Sequence, residues 1–147
     1  MVSEGKGRLF KRSDDKYLIY LPVYLAEDSM FPFKDWHEGA RGGGDYVTLT
    51  GRFIMGEKKL MFTSTPITGK RTVGKTVSGV CRLFKRRDGK YLIYLSKKWC
   101  EDSMFPFKNW QDDQRTGEKN SIPVKVSFKP KGARKLIIEK WKETDEQ

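Results

Sequence analysis

A stretch written twice limits what this chain can fold into more than any other feature. Arg8-Leu-Phe-Lys-Arg12, Lys16-Tyr-Leu-Ile-Tyr-Leu21 and Glu27-Asp-Ser-Met-Phe-Pro-Phe-Lys34 return 74 residues later, over 82–86, 90–95 and 101–108. Between residues 7–36 and 81–110, 21 of 30 positions are identical. A repeat of this kind marks a tandem duplication, so the fold has to be assembled from two copies of one unit.

Each copy has about 70 residues, which is near the lower limit for a self-sufficient core, and the two are therefore expected to share one. Within a copy, residues 7–12 read as a strand and Ser13-Asp-Asp15 (Arg87-Asp-Gly89) as a hairpin turn. A second strand follows over 16–21 and 90–95. The Tyr-Leu-Ile-Tyr-Leu run is apolar on both faces, which places it between two layers, between the halves. Pro22 and Ser96 then open a short helix. Val23 and Tyr24 become Lys97 and Lys98 in the second copy, so that face tolerates water. Leu25 and Ala26 become Trp99 and Cys100 and stay apolar.

The helix stops at Met30-Phe-Pro-Phe33 and Met104-Phe-Pro-Phe107, because a residue before proline is pushed out of the α region. Residues 38–45 and 111–120 read as loops. Alternation resumes at 46–50 and 59–63, answered by 124–128 and 135–139. The expected fold is mostly β with short helices: two tandem ββαββ repeats forming an intertwined pseudo-dimeric barrel. The divisions are a first repeat at 1–63, a basic linker at 64–79, a second repeat at 80–141 and an acidic tail at 142–147.

Charge narrows the partners. Thirty Lys and Arg against 19 Asp and Glu leave +11, which points to a polyanion such as nucleic acid. Residues 1–73 hold 12 basic and 9 acidic groups (+3) and residues 74–147 hold 18 and 10 (+8), so the second half should attract more strongly. No 18-residue apolar run or signal-like segment occurs, and a soluble cytoplasmic protein with no membrane partner is expected. Cys81 and Cys100 stand where the first copy has Gly7 and Ala26. They belong to no repeated metal or disulfide design and read as reduced packing residues.

Catalytic motifs are weak. Gly69-Lys-Arg-Thr-Val-Gly74-Lys75-Thr76 has the phosphate-loop spacing, yet that chemistry needs a helix opening at Lys75, and Val77-Ser-Gly79-Val80 is poor helix material. The paired Glu27-Asp28 and Glu101-Asp102 are adjacent on a helix and do not converge on one bond. His37 has no partner at metal spacing. No catalytic residue, metal or cofactor is expected, and the chain does not read as an enzyme.

The basic hairpins carry the stronger signal. Arg8, Lys11, Arg12 and Lys16, with Arg82, Lys85, Arg86, Arg87 and Lys90, lie on two hairpins that a paired fold can set side by side, where they would neutralise phosphates. The rings of Phe31, Phe33, Trp36, Phe105, Phe107 and Trp110 admit two readings. They are either stacking platforms for unpaired bases or, more often for such clusters, plugs that close a small barrel.

Lys16-Tyr-Leu-Ile-Tyr-Leu-Pro22 with the helix after it, Gly44-Asp45-Tyr-Val-Thr-Leu49 and Lys59-Leu-Met-Phe62 together resemble the swapped-hairpin AbrB (SpoVT/AbrB-like) DNA-binding domain. The likeness covers residues 7–63 and, more loosely, 81–139. Ser96 replaces the proline, and the second copy lacks Gly-Asp before its third strand. The resemblance implies an exchanged-strand barrel whose first hairpins face DNA, with contacts from Arg8, Arg12, Lys16, Arg82, Arg86 and Lys90. It makes the chain a monomeric pseudo-dimer, or a homodimer. The expected function is therefore DNA binding, of a transcriptional-regulator or chromatin type, with double-stranded DNA as partner. The alternatives are a single-stranded DNA or RNA binder using the ring cluster, and a structural or assembly protein without nucleic-acid affinity.

Overall fold

The computed structural model describes residues 3–12, 16–34, 36–38, 45–64, 69–86, 88–107, 111–113, 118–128 and 134–141. In chain order the elements are β1 (Ser3–Lys11), β2 (Tyr17–Leu21), α1 (Val23–Ala26), β3 (Asp45–Ile54), β4 (Lys59–Thr63) and β5 (Arg71–Val73). They continue with β6 (Thr76–Lys85), β7 (Tyr91–Leu95), α2 (Lys97–Cys100), β8 (Gln111–Asp113), β9 (Glu118–Phe128) and β10 (Lys135–Lys140).

Eight strands close an antiparallel barrel in the order β1-β2-β7-β6-β3-β4-β10-β9, with β9 pairing back onto β1. Closure removes the exposed edges that strands this apolar would otherwise present. Alternation fixes the register: Leu9, Ile19, Leu49, Phe62, Leu83, Ile93, Val126 and Ile138 point inward and form the core. At the centre of the β2–β7 ladder Ile19 faces Ile93, the residue in its own place in the other copy, and Met61 faces Ile137 between β4 and β10. β3 lies against β6, and β9 against β1.

The two-faced apolarity of Tyr-Leu-Ile-Tyr-Leu is met without a second layer. Leu18 and Leu92 alternate to the outside, yet each is only 2% exposed. Rings from neighbouring strands flank them: Phe10 stacks on Tyr20 with centroids 4.8 Å apart, and Phe84 meets Tyr94 edge-on at 5.1 Å.

Because β2 and β7 are antiparallel, α1 and α2 follow them at opposite ends of the barrel. Leu25 and Ala26 are buried at one end, Trp99 and Cys100 at the other, while Val23, Tyr24, Lys97 and Lys98 face water. The repeated Asp closes each helix with an Asx turn: the Met30 N–H donates to Asp28 Oδ1 at 2.7 Å and the Met104 N–H to Asp102 Oδ1 at 2.9 Å. That turn sends Phe31 and Phe33, and likewise Phe105 and Phe107, back into the core.

The two ends are packed by different side chains of matched bulk. Trp99 is fully buried, its indole N–H donates to the Val77 carbonyl at 3.0 Å, and its ring lies over Gly51. At the other end the smaller Leu25 stands in Trp99's place, and Val126 answers Gly51, since Gly51 pairs with Gly79 and Val126 with Gly5, which lies 74 residues before Gly79. A bulky ring over a glycine at one end thus corresponds in position to a leucine and a valine at the other.

Two expectations need correcting. The segment expected to link the copies is partly strand: β5 and the start of β6 form a hairpin over Gly74, whose φ of 59° is the left-handed value glycine allows. Thr76 therefore opens a strand, and the phosphate-loop reading of 69–76 falls for want of a helix. Likewise β8, over 111–113, and the first residues of β9, 118–120, fall in a stretch that reads as loop because Gln-Asp-Asp carries no alternation. The turn residues 13–15, the loop 39–44 and the tail 142–147 lie outside the described residues. Among the described residues, no helix is long and apolar enough to cross a membrane.

Both cysteines are free and buried, which agrees with their reading as packing residues. Burial pushes the Cys81 thiol up to about 12 and drives Cys100 in the same direction. Neither thiol is expected to react with a disulfide reagent at pH 8 until denaturant is added. Unfolded thiols ionise near 9.0 and folded Cys81 only near 12. Its contribution to stability is thus present below pH 9 and lost as pH rises toward 12, by about 1.4 kcal/mol per unit. Denaturation midpoints across that range, compared with a Cys81→Ala chain, check the sign.

Candidate nucleic-acid interface

The strand pairing distributes the basic hairpins differently from the side-by-side expectation. Tyr17 faces Leu95 and Leu21 faces Tyr91, so the β1–β2 and β6–β7 turns lie at opposite ends of one sheet. Lys16 and Lys90 are six ladder positions apart, about 20 Å at about 3.3 Å per residue. The charges thus spread along a face instead of meeting at one tip.

The mid-strand arginines point outward and are braced by β9 and β3. Arg8 is half-buried and its Nη1 donates to Ser121 Oγ at 3.0 Å. Arg82 is exposed and sits 4.7 Å over the Tyr46 ring. Lys11 and Lys85 turn to the side of Leu9 and Leu83, at the barrel rim, each with its ammonium 5.8 Å over the ring of Tyr17 or Tyr91. Burial raises the Tyr17 hydroxyl pKa, an effect that the nearby Lys11 partly offsets. At the turns Arg12, Lys16, Arg86 and Lys90 are exposed, the hairpins being closed by Arg12 N–H to Lys16 O and Arg86 N–H to Lys90 O, both 2.8 Å. Arg86 also meets Asp88 at 3.3 Å, an exposed pair that contributes little and yields readily to phosphate. Arg87 lies outside the described residues.

Two grooves run on this face, each built from both copies. The first, about 510 Å³, is walled by Lys6, Arg8, Tyr20, Leu21 and Val23, with Lys90 reaching in from the opposite hairpin. The second, about 610 Å³, is walled by Arg82, Phe84, Lys85, Arg86 and Tyr94, with Lys16 arriving from the other side. Neither has an acidic residue among its described walls.

Of the two readings of the ring cluster, burial fits the plug and goes against the stacking platform. Phe31, Phe33, Phe105 and Phe107 are 2–4% exposed and packed edge-on in the core, for instance Phe31 on Phe128 at 5.7 Å and Phe105 on Trp99 at 5.4 Å. They offer no face for a base to stack on. Trp36 is partly buried with its edge toward Tyr91 at 6.0 Å, and Trp110 lies outside the described residues. The rings that do reach the grooves are Tyr20, Tyr94 and Phe84, which the sequence assigns to strands.

Glu27, Asp102 and His37, weighed above for catalytic or metal chemistry, have structural partners. Glu27 Oε2 accepts from the Tyr91 hydroxyl at 3.4 Å, Asp102 pairs with Lys70 at 2.6 Å, and the His37 backbone bridges to Tyr46. No family model, no curated protein and no solved structure matches this chain.

Proposed function

We propose that the chain binds double-stranded DNA through the outer face of β1, β2, β7 and β6, in the cytoplasm, as a regulator or chromatin-type protein. The observation that carries this reading is the pair of grooves, each setting an arginine of one copy beside a lysine of the other with no acid among the described wall residues. Such side chains neutralise phosphates and release counterions, which favours any duplex sequence.

We read the barrel as two tandem ββαββ repeats intertwined into a built-in pseudo-dimer, as the AbrB-like resemblance implies. Ile19 opposite Ile93, Met61 opposite Ile137 and the crossed pairing of third with first strands support it. A two-fold arrangement of cations suits the two-fold symmetry of a duplex.

Mobility shifts with duplex DNA, single-stranded DNA and RNA test the reading. The duplex is expected to bind best, and Arg12→Glu with Arg86→Glu to weaken it more than tenfold. Unchanged binding by that variant defeats the hairpin contacts. Preference for single strands moves the function to stacking on Tyr20 and Tyr94, and no affinity at moderate salt leaves a structural or assembly role.

A further inference from the structure

The two grooves are counterparts in sequence but not in shape, and the difference has a functional consequence. In the first, Phe10 is only 6% exposed and lies flat on Tyr20, 4.8 Å between centroids and 17° between planes. That stack closes the groove above Arg8, whose guanidinium is turned onto Ser121, and its walls on β1 end there. In the second, Phe84 stands nearly perpendicular to Tyr94, at 88°, and remains half-exposed. The groove therefore continues along the outer positions of β6, from Val80 past Arg82 and Phe84 to Arg86. The six steps from Val80 to Arg86 span about 20 Å, the axial rise of about six base pairs at about 3.4 Å each.

Charge follows shape. The second groove collects Lys16, Arg82, Lys85 and Arg86, and Ser96 in its wall leads to exposed Lys97 and Lys98. The first collects Lys6, Arg8 and Lys90, and the matching helix positions are Val23 and Tyr24, exposed at 42% and 65%. Lys6 also lies 5.4 Å over the Trp141 ring.

We infer that the β6–β7 groove is the main phosphodiester track of the chain and the β1–β2 groove a short auxiliary site, so that the near-symmetric barrel holds its nucleic acid mainly by one side. This rests on the DNA-binding reading above. The geometry assigns several consecutive phosphates to Lys16, Arg82 and Arg86, and one to Arg8 with Lys90.

Two double variants, Arg82→Gln with Arg86→Gln and Arg8→Gln with Lys90→Gln, separate the sites, each checked for an unchanged thermal transition. Binding to a random-sequence duplex is read by fluorescence anisotropy at several salt concentrations. The first variant is expected to lose at least tenfold more affinity than the second and to flatten the log–log salt slope by about 2, at about 0.9 per phosphate. Equal losses, or a larger loss from the Arg8 and Lys90 variant, overturn the assignment while leaving DNA binding in place. A parent chain that does not bind the duplex at all overturns both. If either pair disturbs the melt, Arg82→Lys and Arg8→Lys replace it, and the same order of losses, smaller in size, is expected.

Discussion

Replacing Trp99 by Leu is expected to remove about 3 kcal/mol of stability, and adding Gly51→Val to the same chain to restore part of it. Trp99 is fully buried against Phe53, Phe62 and Phe105, with centroids 5.4–6.0 Å away, so its truncation leaves a cavity that this ring cage cannot collapse to fill. In a chain of this size the loss lowers the melting temperature by about 10 °C. Gly51→Val alone is expected to be destabilising too, because a Cβ there would stand 2.7 Å from the indole Cη2 and 3.0 Å from both Cζ3 and Cys81 Sγ. Combined, the two changes set a leucine and a valine where the other end has Leu25 and Val126; Cys81, which stands where that end has Gly7, still crowds the new Cβ at 3.0 Å and keeps the restoration partial. A double-mutant cycle by chemical denaturation should thus show a coupling of about 2–3 kcal/mol in the restoring direction. Gly79→Ala is the control that separates volume from backbone crowding. Its Cβ would lie 2.6 Å from Trp99 Cβ and Cγ, atoms that leucine also has, so Trp99→Leu should not rescue it. If the double variant is no more stable than the sum of the singles, the two ends are not packed by the same rule.

That exchange was half-legible in the sequence. Leu25 against Trp99 marks a buried position, because both residues are large and apolar where their neighbours turn to lysine. Its compensation at Gly51 was not legible, because that glycine lies on a strand about 50 residues away and meets Trp99 only after the barrel closes. The same limit explains the hairpins. A repeat states that Arg12 and Arg86 share a local geometry, but not whether the two copies of Tyr-Leu-Ile-Tyr-Leu pair parallel or antiparallel. The antiparallel choice at Ile19 and Ile93 moves the turns to opposite ends and builds each groove from Arg8 with Lys90 or Arg82 with Lys16. Short strands such as Arg71–Val73, exposed at all three positions, have no apolar face to announce them and form because Gly74 turns the chain back. Met-Phe-Pro-Phe was ambiguous for another reason: ring-rich composition suits a plug more often than a platform without deciding between them, and only the Asx turn at Asp28 and Asp102 aims the rings inward.

Raising salt from 50 to 200 mM is expected to weaken duplex binding by about 10³-fold. If about six phosphates are met, the log–log slope is near −5, about 0.9 per phosphate, and a fourfold rise in salt multiplies through it. The cations that set this number are on the outer face, where Arg12, Lys16, Arg82, Arg86 and Lys90 are exposed to solvent ions at the same time as to a ligand. At 0.15 M the screening length is about 8 Å, shorter than the roughly 20 Å between the two turns, so the turns act as separate contacts. Removing one turn should therefore reduce the slope in proportion to its phosphates and not abolish binding outright. Titration at four or more salt concentrations measures that proportion directly. A slope near zero would remove the electrostatic mechanism altogether, since Tyr20, Tyr94 and Phe84 could still stack on bases, but stacking releases no counterions and carries no such salt dependence.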